Sequence, residues 1–181
     1  MSKRQNNDRL LLIATLGRTV GLGGEMKLHL HTDFPEQFVP GETFYTKARE
    51  PLVFDEVDME RELVRLRGID SPETAKRYTN TQVYTTYGRT RETCKLEKGQ
   101  YFWFDIVGAT VTEDGVPLGT VLEIERIGAV DYLQIKTDDA FVKRGLPKQF
   151  LVPYQPPFIE KVDTDAGTIA LKGALDILEA S

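Results

Sequence analysis

A chain of 181 residues has room for one large domain or two small ones, and an apolar content of 40% is enough for compact cores. No run approaches the ~18 consecutive apolar residues of a membrane span, the polar start has no signal-peptide core behind it, and a single cysteine, Cys94, excludes an internal disulfide and a multi-cysteine metal site, which together point to the cytoplasm. The net charge of −5 is uneven: residues 1–93 carry 14 Lys and Arg against 14 Asp and Glu, whereas residues 94–181 carry 9 against 14, so the second half is a poor polyanion binder and suits a basic partner or simply aids solubility.

Residues 1–8 read as a frayed tail. Residues 10–16 form an apolar run of strand length, and residues 17–25 hold four glycines in eight positions, a loop with backbone angles that other residues resist. That loop lacks the Gly-Lys-Ser/Thr ending of a phosphate cradle, and no helical pattern follows it. From 25 to 31 the pattern alternates: Met26, Leu28 and Leu30 point one way, Lys27, His29 and His31 the other. His29 and His31 share a face, which permits a metal pair, but spacing offers no third ligand, and exposed strand histidines account for them.

Residues 32–41 are a loop or single turn between prolines. Residues 42–47, 52–57 and 59–67 are strand-like, the last with Arg61, Arg65 and Arg67 on its wet side. Those arginines, with Arg18, offer an RNA-phosphate surface or serve as solvated partners for neighbouring glutamates. A two-turn helix is predicted over 70–78, with Ser71 as cap, Pro72 in the first turn, Glu73 at the positive end and Lys76 and Arg77 at the negative end. Residues 82–86 return as a strand. The polar stretch that follows, 91–97, reads as a linker between a first domain over 1–90 and a second over 98–181.

The second domain opens on Tyr101-Phe102-Trp103-Phe104-Asp105-Ile106-Val107-Gly108, four aromatics in a row with the only Trp. Such a run fits a half-buried strand poorly. Either the rings fill the core of a small barrel, with Asp105 and Gly108 making a turn, or at least one lies at the surface and offers stiff, partly polar contact area to a partner. Short strand candidates then alternate with turn chemistry at 113–115, 127–129 and 165–167, the signature of a small barrel or sandwich. The proline-rich 152–158 is suited to a sheet edge, and 173–181 to a docked strand or turn. Cys94 has no base beside it in sequence, and no carboxylate pair sits in an apolar setting, so no catalytic centre is expected.

Three sets of residues resemble the RimM family of bacterial ribosome maturation factors. They are the glycine spacing Gly17, Gly21, Gly24 with Glu25; the run Gly68, Asp70, Ala75; and the aromatic string ending in Gly108. The order of Gly119, Val121, Gly128, Asp131, Leu133, Pro153, Asp163 and Gly167 extends the match through the second half. The family typically has Tyr-Tyr-Trp-x-Asp-Leu-x-Gly, so Phe102 keeps a ring and loses a hydroxyl. The resemblance implies an all-β fold of two small barrels with one short helix in the first, the second of PRC-barrel type. It implies a non-enzymatic monomer without cofactor. Tyr101, Phe102 and Trp103 would dock onto small-subunit ribosomal protein nineteen of an immature small subunit, with possible direct rRNA contact through Arg18, Arg61, Arg65 and Arg67 as the rival reading. A small metal protein or enzyme using His29 and His31 is the third.

Overall fold

The computed structural model describes residues 6–181, so the first five residues of the predicted tail lie outside it. The chain divides into two units, meeting between Lys95 and Leu96. Both are built from strands, and the fold is all-β with two barrel-like domains.

The first unit is a closed barrel of β1 (Leu10–Val20), β2 (Glu25–Leu30), β3 (Thr43–Tyr45), β4 (Pro51–Asp58), β5 (Leu63–Leu66) and β6 (Gln82–Thr86). The strand order is β1-β2-β5-β4-β3-β6, every pair antiparallel, and β6 closes on β1. The alternation over β2 holds, with Met26 and Leu28 sealed and His29 exposed. Inside, Phe38, Phe44 and Phe54 form a ring cluster with centroids 5.2–6.2 Å apart. The rings are tilted by only 27–34° to one another, an offset arrangement that adds to plain burial.

Part of the expected glycine loop is strand. β1 runs on through Gly17 to Val20, with a bulge between Leu16 and Thr19. Gly17 lies tight against β2: a Cβ there would sit 2.6 Å from His29 Nε2 and 3.1 Å from Lys27 Cβ, so a larger residue would press on these two side chains. The true turn is confined to residues 21–24.

The predicted helix forms as α1 (Pro72–Ala75), continued by a 3-10 turn, Lys76–Tyr78, with the Ser71 hydroxyl accepting from Thr74 N. A second helix, α2 (Tyr87–Thr93), lies where the sequence reads as polar connection. Thr86 caps it by accepting from Arg89 N. Its buried side holds Thr90, whose hydroxyl accepts from Gln37 Nε2 at 3.1 Å, both residues being buried. Arg89 grips Glu42 through two bonds of 2.7 and 2.8 Å and reaches Glu92 at 3.0 Å. Residues 6–8 are tied here rather than frayed. Asn7 O accepts from Gly88 N, and Asp8 O from Arg49 Nη2.

The second unit is a six-stranded sheet of β7 (Thr110–Glu113), β8 (Val116–Ile127), β9 (Val130–Thr137), β10 (Gln149–Pro153), β11 (Ile159–Asp163) and β12 (Thr168–Leu171), in the order β10-β9-β8-β7-β12-β11. Only β7 and β12 pair in parallel. Three helical segments accompany it: α3 (Trp103–Ile106), α4 (Asp139–Val142) and α5 (Ala174–Ala180). Ile106, Val111, Val121, Leu133, Ile135 and Ile169 are the centre of its core. The last segment, expected as a strand or turn, is a helix because Glu113 supplies partners for its first backbone N–H groups and Leu178 reaches the core.

Candidate protein-docking site

The aromatic run is not a strand, yet it alternates. Tyr101 is 38% exposed, Phe102 8%, Trp103 50% and Phe104 5%. Phe102 caps the short turn α3 with extended backbone, and Phe104 and Ile106 point inward with it. The two phenylalanine rings stack at 5.1 Å and 7°, and Trp103 stands edge-on to Phe104 at 5.7 Å. The expectation that a run of rings resists two-sided sorting is therefore corrected. Chemistry sorts them: Phe has no polar atom to satisfy and goes inside, while Tyr and Trp carry an O–H and an N–H that prefer water or a partner. Phe102, expected as an anchor beside Tyr101 and Trp103, lies mostly buried and stacked on Phe104.

Within the same unit, Tyr154 follows β10 on an elbow fixed by Tyr154 N donating to Asp131 O at 2.7 Å. Its ring packs against the core and is half-buried. Burial, with a smaller contribution from the Tyr101 phenol, pushes its phenol up to about 12. Nothing in the local sequence, a lone aromatic among prolines, marks Tyr154. Nearby on the β8–β9 hairpin, Arg126 holds the Asp131 carboxyl below its ordinary value through a hydrogen bond of 2.7 Å.

The four arginines expected at an RNA surface, Arg18, Arg61, Arg65 and Arg67, differ in their pairing. Arg65 is paired with Glu56, and Arg67 Nε donates to Asp55 Oδ1 at 2.8 Å. Arg18 and Arg61 are exposed, and their guanidinium groups have no partner among the described residues. Arg61 and Arg65 share a shallow cavity of about 240 Å³ with Glu25, Glu56 and Asp58, a mixed and not a basic lining. A larger cavity of about 490 Å³, lined by Thr43, Tyr45, Thr85 and Thr86, has its one guanidinium, Arg89, already taken by carboxylates.

His31 Nε2 shares a hydrogen bond of 2.8 Å with Thr15 Oγ1, and His29 leans on Gly17. Among the described residues no group of three or more His, Cys, Asp or Glu is arranged to hold a metal ion. Cys94 is buried, which pushes its thiol up and leaves little thiolate at neutral pH. No helix among the described residues is long and apolar enough to cross a membrane.

Comparison with known proteins covers both units. The model of the RimM N-terminal domain matches residues 11–89, and that of the RimM PRC barrel domain matches residues 103–177. The ribosome maturation factor RimM of Sulfurimonas denitrificans is 50% identical over 181 residues, all of both chains. That of Sulfurovum sp. is 48% identical over 169 residues, 93% of this chain and 94% of the relative. A crystal structure of a RimM protein from Pseudomonas aeruginosa, described as a putative 16S ribosomal RNA processing protein, is similar over 93% of this chain and 99% of its own, at 19% identity and a TM-score of 0.39. With both halves matched in order and relatives aligned from end to end, the chain belongs to the RimM family.

Proposed function

We propose that the chain acts in the cytoplasm as a monomeric ribosome maturation factor, without catalysis of its own. It engages the immature small ribosomal subunit through ribosomal protein nineteen of the head and so assists head assembly and small-subunit rRNA processing. Tyr101 and Trp103 are the anchors, and the acidic second half steers a basic partner. The observation that carries this reading is the exposure of Tyr101 and Trp103 on a turn whose other rings are buried beneath them. A stiff ring on a fixed base loses little entropy when a partner covers it. The family membership and the names of the relatives support the wider role.

The test is co-sedimentation with purified small subunits. Trp103→Ala and Tyr101→Ala each lose about 10- to 30-fold in affinity, the size of a contact hot spot, with a melting midpoint within a few degrees of wild type. Wild-type binding by both folded variants sinks the docking site. Direct rRNA contact is a second reading, supported by the unpaired guanidinium groups of Arg18 and Arg61. It requires affinity for naked rRNA that falls steeply with added salt; salt-independent binding removes it.

A further inference from the structure

The first unit carries a polar cavity that the docking reading does not use. β3 and β6 pair only through Tyr45 and Tyr84. Beside that pair lies the cavity of about 490 Å³, with Tyr45 of β3, Thr85 of β6, Asp8 ahead of β1 and Arg89 of α2 in its wall. Its charges are unevenly spent. Arg89 is the one guanidinium of the lining, and Glu42 and Glu92 already hold it. The third carboxylate, that of Asp8, has no partner among the described residues; Arg49 reaches only the Asp8 carbonyl oxygen, at 2.8 Å. Arg91, outside the lining, is held by Asn7 Oδ1. Thr85 is a second and independent sign of an occupant. It is 2% exposed and lines the cavity. Its hydroxyl has no hydrogen-bond partner among the described residues and is not a sealed atom, so the oxygen opens on the cavity.

We propose that this cavity binds an alkylammonium group, supplied by a free polyamine or by a lysine side chain of a partner. The Asp8 carboxylate balances its charge, and the Thr85 hydroxyl oxygen accepts one of its N–H bonds. An ammonium has three donors and no acceptor, so it needs what Asp8 and Thr85 leave unfilled. Three carboxylates against one guanidinium turn an anion away, a phosphate included. A bare metal ion fits poorly, because among the described residues no group of three or more His, Cys, Asp or Glu is arranged to hold one. The site lies wholly in the first unit, and it stands or falls apart from the docking of Tyr101 and Trp103.

The experiment is an NMR titration of the nitrogen-labelled full chain at fixed ionic strength, with two probes: spermidine and a terminally blocked Gly-Lys-Gly peptide. Amide shifts are expected at Asp8, Gly41, Thr85 and Gly88, which border the cavity. Asp8→Asn keeps the shape and removes the charge, and it weakens binding about 10-fold, the range of a hydrogen bond to a charged group. Thr85→Val removes one acceptor from a buried position and weakens binding about 3-fold, a change that diffuse attraction to acidic surface would not show. Shifts with spermidine alone identify a free polyamine as the ligand, and shifts with the peptide alone identify a partner's lysine; either result upholds the site. Two probes that leave these four amides unmoved overturn it. Binding that Asp8→Asn leaves at the wild-type level overturns it as well. Asp8 is exposed, so this variant tests the site even where Thr85→Val fails to fold.

Discussion

Glu113, at the end of β7, closes the far end of the second unit by accepting from Gly173 N at 2.6 Å, and its other oxygen accepts from Leu175 N at 2.7 Å. The first N–H groups of a helix have no partner within it, and a carboxylate there meets the positive end of the backbone dipoles. Glu113→Ala removes both bonds and leaves part-buried donors unmet. The expected cost is about 2 kcal/mol, read as a lower urea midpoint with an unchanged slope. A midpoint equal to wild type counts against the clasp.

Gly119 is the tightest point of the β8–β9 pairing. A Cβ there would sit 2.1 Å from Lys136 O and 2.8 Å from Ile135 Cγ2. Backbone cannot move aside as a flexible side chain can, so Gly119→Ala forces the strands apart at about 3 kcal/mol or more. Thermal unfolding of the variant checks this. Gly115→Ala is a useful contrast, since a Cβ there meets nothing within 4 Å and only the turn conformation, φ 80°, resists it.

Phe102 and Trp103 are neighbours with opposite roles. Phe102→Ala empties a buried site stacked on Phe104 and costs about 3 kcal/mol. Trp103→Ala removes a half-exposed ring and leaves the melting midpoint within a few degrees. Equal losses of stability for the two variants would erase the distinction between support and anchor.

Tyr154 predicts an alkaline signature. Its phenol is pushed up to about 12 in the folded protein, against an ordinary value of about 10 in the unfolded chain. Between these limits the folded state keeps a proton that the unfolded state gives up, so stability is flat below pH ~10 and falls as pH rises toward 12. In Tyr154→Phe this contribution to the alkaline slope is absent, measured as urea midpoints from pH 9 to 11. Identical slopes in the two proteins place the phenol in an ordinary setting.

Much of this was legible in the chain. The alternation of Met26 and Leu28 against His29, and the Ser71–Pro72 start of α1, follow from rules of spacing and capping that act over a few residues. The helix α2 was not legible, because it is held by Thr90 and Arg89 through polar bonds to Gln37 and Glu42, more than forty positions distant, and has no apolar stripe. At the docking site the run of rings was visible as unusual, but the division between Phe and Trp needed ring chemistry rather than periodicity. Tyr154 could not be found at all, since its packing against the core depends on how the segment after β10 returns to Asp131. The arginines show the same limit: Arg65 and Arg67 look available in sequence, and only the fold sets Glu56 and Asp55 against them.

The parallel pairing of Thr110 with Thr168 has a consequence for how the protein is made. The first barrel closes entirely on strands that emerge from the ribosome before residue 90. β7 must wait for a neighbour synthesised nearly sixty positions later, with a clasping helix later still. During translation the earlier module reaches its final shape while the later one still exposes greasy strands, which makes nascent chains halted around residue 150 the form most prone to clump or to call on a chaperone.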